Sequence, residues 1–195
     1  MKKSESIFPT RDQAWELLAA HMQNQNLRRH CLAVEAVMRA LARYFKADEE
    51  KWGAVGLLHD GDYELTKDKP ERHTMLMVEW LRELGTTDQQ VLSAILSHNY
   101  SHTGQNPPNN ELEWSLYCCD ELTGLIVAVA LVLPDKKLVG VSVESIMKKF
   151  AQRSFAAGVH REQIGACEQK LGISLSEFVG IALSAMKSAS FEIGL

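Results

Sequence analysis

Six side chains scattered along the 195-residue chain are of types that hold divalent metals: His30, the neighbours His59 and Asp60, His73, His98 and Asp120. Asp120 is the most telling. It lies within LYCCDELTGLIVAVALVL, the most hydrophobic stretch of the chain, where an unpartnered carboxylate would be costly or would take up a proton. A cation is one compensation, because it favours the ionised form. A solvated groove shared with Glu121, or a Lys or Arg partner, is the other. Side chains of neighbours such as His59 and Asp60 point about 100° apart on a regular helix. At a helix end, where Gly61 lets the chain bend, both can converge on one ion. Imidazole nitrogen with carboxylate oxygen suits Mn, Fe, Co, Ni or Zn better than Ca. Taken singly, these signals are weak. A His-Asp dipeptide is common by chance, and a histidine beside an apolar stripe, as His30 is, more often satisfies itself in the core.

Helices must position these residues. Thr10 can cap a first helix, RDQAWELLAAHMQ, with Asp12 in its first turn. The spacing of Leu27, Cys31, Val34, Val37/Met38, Leu41 and Phe45 predicts a second over about 26–45, with His30 at the edge of its apolar stripe. Asp48 can cap a third, about 49–59, ended by Gly61. Residues 60–70 read as polar and irregular. A fourth helix is expected over 71–84, opened by His73, with Met75, Leu76, Val78 and Leu81 inward and Gly85 closing it. Asp88 starts a fifth, which His98 closes. Gly104, Pro107 and Pro108 mark 101–110 as loop. A long apolar helix over 111–133 stops at Pro134, and further helices are expected at about 143–150, 161–171 and 175–188. With no strand signal of any length, the fold class is all-α, an irregular bundle. It reads as one domain over 1–195, with a core at about 26–135 and a C-terminal helical extension at about 140–190.

Composition limits the partners. The chain is 46% hydrophobic and 24% charged, enough for a sizeable core. A formal net charge of −4 gives no electrostatic case for nucleic acid. The N-terminus from Met1 to Ile7 lacks the apolar core of a signal peptide. The apolar run from Leu122 to Pro134 is short of the roughly 20 residues of a membrane span and reads as a buried core helix. The four cysteines form no CxxC pair, which fits reduced thiols in a cytoplasmic protein. Oligomeric state is not legible.

In their order along the chain, on separate helices, His30, His59-Asp60, His98 and Asp120 resemble the HD-domain superfamily of metal-dependent phosphohydrolases. The segments GLLHDGDYELTKDKPERHTM, ILSHNYSHTG, DELTGLIVAVALVLPDKKL and KKFAQRSFAAGVHREQI look like a bacterial subgroup of small predicted HD hydrolases, over about Arg28 to the C-terminus. The resemblance implies that His30, His59, Asp60 and Asp120 bind one divalent metal (Mn, Fe, Co, Ni, Zn or Mg). In two-metal relatives the residue at Asp60 bridges, and His73 and His98 are placed to hold a second ion. Two departures stand out. Gly61 occupies a position usually filled by a larger apolar residue. Asn99 stands where two-metal relatives often carry a second histidine. His102, four residues after His98, lies within the expected loop.

The reaction implied is hydrolysis of a small phosphate ester or nucleotide through a metal-activated water, with no membrane partner. Asp60, and Asp62 and Glu64 just after the doublet, are the carboxylates expected to orient or deprotonate that water. Fixed positive charge for the phosphate is expected from the basic cluster after the apolar helix, with Lys137, Lys148 and Arg153 the candidates and Arg161 close by. Three rivals stand beside this reading: a di-iron oxygenase of the HD type, a regulatory module that binds metal or nucleotide without turnover, and a purely structural reading in which the polar residues are satisfied in the core and nothing binds.

Overall fold

The computed structural model describes residues 6–195; the first five residues of the polar N-terminal segment lie outside the described residues. The chain forms α1 (Arg11–His21), α2 (Gln25–Phe45), α3 (Glu49–Leu58), α4 (Tyr63–Thr66), α5 (Met75–Glu83), α6 (Gln89–His98), α7 (Tyr100–Thr103), α8 (Glu111–Leu131), α9 (Val143–Phe150), α10 (Arg161–Leu171), α11 (Leu175–Ser188) and α12 (Ser190–Ile193). Single 3-10 turns occur at Pro70–Arg72 and Leu138–Gly140. No strand occurs among the described residues, and the fold is all-α.

Side-chain caps fix where the long helices begin. Thr10 and Gln13 form a reciprocal capping box on α1. Asn24 accepts from the amides of Asn26 and Leu27 on α2, Asp48 from Lys51 on α3, Asp88 from Gln90 and Val91 on α6, and Asn110 from Glu113 on α8. Each such oxygen satisfies amides that the helix itself leaves unbonded. With its start pinned, each helix delivers its functional residue at a set depth: His30 in the second turn of α2, His59 just past α3, His98 as the last residue of α6, and Asp120 midway along α8.

The core is the meeting of α2, α3 and α8, with α6 and α11 against them. Lys46, left-handed at the end of α2, lets the chain fold straight back into α3. Gly56 lets these two helices touch: a Cβ there would fall 2.9 Å from Glu35 Cα. That approach sets the His59 end of α3 beside His30. α8 has the length and hydropathy of a membrane-crossing helix, yet Leu116, Leu122, Leu125 and Ile126 on it are fully buried in the bundle.

The structure corrects several expectations. The helix expected over 71–84 is broken: a 3-10 turn ends at Arg72, and α5 begins only at Met75. Between them Thr74 adopts a left-handed backbone, φ 71°. This shifts the inward face, so Met77 is buried and Met75 is 52% exposed. Residues 60–70 contain α4, and the loop expected at 101–110 opens with α7, which left-handed Gly104 stops. Gly61 is not a left-handed helix stop. It is needed for space, because a Cβ there would fall 2.5 Å from Met77 Sδ. Met77 thus fills the volume that a larger residue at position 61 would take.

Candidate metal centre

α2, α3, α6 and α8 bring four of the six residues together, and the turn before α5 brings the fifth, His73; Asp60 follows His59. Each oxygen of Asp60 faces a different pair of rings. Oδ1 lies 3.1 Å from His73 Nε2 and 3.1 Å from His98 Nε2. Oδ2 lies 3.8 Å from His30 Nε2 and 3.7 Å from His59 Nε2. On that second side, Asp120 Oδ1 stands 2.9 Å from His30 Nε2 and 3.5 Å from His59 Nε2. His30 and His59 approach to 3.2 Å through their Nε2 atoms. Two ligand atoms about 2.1 Å from a shared cation stand roughly 3.0–3.4 Å apart in octahedral or tetrahedral geometry. The donor spacings fall around that range, and among the described residues the potential ligand atoms form three overlapping groups: His30, His59 and Asp60 on one side, Asp60, His73 and His98 on the other, and His59, His98 and Asp120 across the two.

What lies behind the rings tests whether these residues suit a cation. His59 is fully buried, and its Nδ1–H donates to the Gly56 carbonyl at 2.8 Å. His30 Nδ1 lies 3.4 Å from Thr123 Oγ1, whose own hydroxyl donates to the Asp120 carbonyl at 2.8 Å, so the ring N–H is the donor there. His73 Nδ1 donates to Asp62 Oδ1 at 2.7 Å. In all three rings the outer nitrogen is tied off and Nε2 is turned to the centre. That is how proteins fix the tautomer of metal-binding histidines, and the donor set fits a divalent transition metal.

Asp62 and Glu64 do other work than the sequence suggested. Asp62 is fully buried behind His73 and accepts from the Thr74 and Met77 amides at 3.1 and 3.2 Å. Its charge orients a ring and holds a turn. Glu64 accepts from the Gln23 and Asn24 amides at 2.7 and 3.0 Å, tying the α1–α2 connection to α4. Neither lines the cavity over the centre. Asn99 also faces away from it, donating to the carbonyls of Pro70 and His73 at 2.7 and 3.1 Å. It clamps the turn that carries His73, while His98 takes the place facing Asp60.

The cavity over the centre measures about 310 Å³, toward the lower end of the roughly 300–1,000 Å³ usual for small-molecule sites. Lys137, Lys148 and Arg153 are not among its lining residues. Arg161 is engaged elsewhere, donating to the carbonyls of Phe150, Gln152, Phe155, Ala156 and Val159. Fixed positive charge from this cluster, expected from the sequence, is therefore absent from the cavity wall. Sequence reasoning missed Tyr63, Tyr117, Val159 and Gln163, which do line it; no local pattern marks them. Thr123 had a signal, as a hydroxyl one helical turn beyond Asp120.

The charges of the centre act on one another. Burial opposes a charged His30, but hydrogen bonding to Asp120 and the fields of Asp120 and Asp60 outweigh it and hold the ring up to about 9. Burial likewise opposes a charged His73, and Asp60 and Asp62 raise it to about 9. Burial would raise the Asp60 carboxyl, yet the charge of His59 and hydrogen bonds from His73 and His98 keep it well below the usual carboxylate range. A cation must displace the protons on His30 and His73. Manganese affinity should therefore climb as pH rises toward about 9 and level off above it. Stability of the chelated protein should change in the opposite sense. A folded-state pKa raised above the unfolded value stabilises fully below about 6.5, and that stabilisation is lost as pH rises through about 9. Calorimetric titration and thermal midpoints across this window check both slopes. A pH-independent manganese affinity would contradict the assignment of these rings as ligands.

A protein-family model described as HD domain matches residues 27–130. No curated protein matches the chain, and no solved structure does. The matched span contains all six residues of the centre and stops before α9, α10 and α11.

Proposed function

Because this chain belongs to the HD domain family, we propose that it is a phosphohydrolase that uses divalent metal at the centre around Asp60. The family is of the metal-dependent hydrolase type. The observation that supports the reading most is the placing of one carboxylate between two sets of rings, with the outer nitrogens of His30, His59 and His73 tied off. His30, His59, Asp60 and Asp120 would hold one cation, and Asp60, His73 and His98 a second. When bound, the metal supplies an acidified water and a Lewis-acidic partner for a phosphoryl oxygen. The chain's own residues set the geometry. Asp62 and Gly56 orient rings, and Asn99 fixes the turn that carries His73. Tyr63 and Tyr117 bound the space in which the ester lies. In the hydrolysis, the bond from phosphorus to the alcohol oxygen breaks and one from phosphorus to the water oxygen forms. A water proton ends on the alcohol.

The test is metal analysis of the purified chain, followed by phosphate release from a panel of phosphorylated metabolites with Mn, Co, Ni or Mg. Bound metal and chelator-sensitive phosphate release are expected. Metal-loaded protein that releases phosphate from no ester in the panel would overturn the reading and favour a regulatory module. The double cluster of rings also suits two irons, so an oxygenase is the second reading. Oxygen consumption by the iron-loaded protein separates the two.

A further inference from the structure

Apart from the ligands of the centre, the cavity wall offers Ser101 and His102 as donors to a phosphoryl group, and its remaining residues are acidic, neutral polar or apolar. Neither lysine nor arginine lines the cavity, and Glu121 adds a carboxylate next to Asp120. The His160 amide donates to Glu121 Oε2 at 3.0 Å, which holds this carboxylate in the wall. Beside it stand Tyr117 and Gln163, with Val159 as an apolar edge. Val159 and Gln163 come from the segment beyond the span shared with the family. The loop before α10 that carries Val159 and His160 is gathered by Arg161, whose guanidinium donates to carbonyls from Phe150 to Val159.

Resting on the phosphohydrolase reading, we propose that the cavity takes the monophosphate ester of a neutral, polyhydroxylated alcohol, a sugar or a nucleoside, and that Glu121 and Gln163 select it by bonding its hydroxyls. A carboxylate is a pure acceptor, and a carboxamide both accepts and donates. Together they match alcohol hydroxyls, and hydrogen bonds to a charged acceptor are the stronger kind. A second or third phosphate would find no lysine or arginine in the wall, with His102 as the imidazole beyond the centre's own rings, and would face Glu121. Like charge brought together out of water is strongly disfavoured. The volume of about 310 Å³ also suits a compact monophosphate. The products are the neutral alcohol and inorganic phosphate, with one P–O bond broken, one formed from water, and the water proton transferred to the alcohol oxygen.

The experiment uses the full chain reconstituted with manganese. The probes are ribose 5-phosphate, AMP, ADP, ATP and phenyl phosphate, which carries no hydroxyls. AMP and ribose 5-phosphate are expected to exceed ADP and ATP in kcat/KM by at least about tenfold, and to give larger thermal shifts. Gln163→Ala and Glu121→Gln should each lower the ratio of kcat/KM for ribose 5-phosphate to that for phenyl phosphate by about three- to tenfold, chiefly through KM, the size of one or two lost hydrogen bonds. Gln163 is partly exposed at the start of α10, so its truncation is compatible with folding. Turnover of ADP or ATP at the level of AMP would overturn the proposal. So would a ratio that neither variant moves. Failure to cleave any of the probes, phenyl phosphate included, would overturn the parent reading as well; cleavage without preference defeats the selectivity alone.

Discussion

Asp60→Ala is expected to strip the protein of metal and to lower phosphate release by at least about a thousandfold, equivalent to roughly 4 kcal/mol of transition-state stabilisation. Its two oxygens are divided between His73 and His98, each at 3.1 Å, and His59 and His30 at 3.7 and 3.8 Å. Removing it leaves two imidazoles on one side. The other side keeps two imidazoles and Asp120. Neither set then holds the charge or the ligand number of an intact site. Asp60→Asn is the sterically closer variant, since it keeps an oxygen and loses the charge. It should retain the fold and still bind less than one metal per chain. Metal analysis by emission spectrometry and a phosphate assay give the result, and a full metal complement in Asp60→Ala would remove the foundation of the proposed function.

Asp62→Ala should destabilise the chain by about 3–5 kcal/mol, the cost of leaving buried partners of a charge unmatched. Three donors converge on this fully buried carboxylate: His73 Nδ1 at 2.7 Å and the amides of Thr74 and Met77 at 3.1 and 3.2 Å. Thr74 sits at φ 71°, a conformation that costs a β-branched residue about 1–3 kcal/mol and persists only where surrounding contacts enforce it. Asp62 is that contact. Denaturant unfolding of the metal-free protein measures the loss, and metal analysis should show a lowered metal content per chain, because Asp62 orients the His73 ring. An unchanged midpoint with an unchanged metal content would show that Asp62 has neither role. Asp62→Asn keeps one accepting oxygen and should lie between the two.

Much of the fold could be read from local pattern. α9, α10 and α11 take the bounds that their apolar spacing implied, beginning just after Ser142, His160 and Ser174, with the Ser142 and Ser174 side chains capping α9 and α11. The break at His73 and Thr74 could not be read that way. Its cause is the Asp62 carboxylate, which takes amides 12 and 15 positions further on. The residues now grouped as the centre were visible because histidine and aspartate in helical, apolar surroundings need partners. Which face each ring presents depended on Gly56, Thr123 and Asp62, and those partners come from packing. The basic cluster misled for the same reason. Arg161 looked free to meet a phosphate, yet loop carbonyls between Phe150 and Val159 claim it. Gln163 and Val159 reach the cavity only because that loop is gathered, so no spacing rule could have pointed to them.

The ordering of the centre along the chain has a mechanical consequence. Its members run from position 30 to position 120, and most of the core elements lie between or beside them. An ion seated there would act as a reversible crosslink, closing long loops that the unfolded chain would otherwise explore. Because only the folded chain gathers these groups, occupancy and folding reinforce each other, by RT ln(1 + [L]/Kd). The protein would then sense the metal supply of its surroundings through its own lifetime.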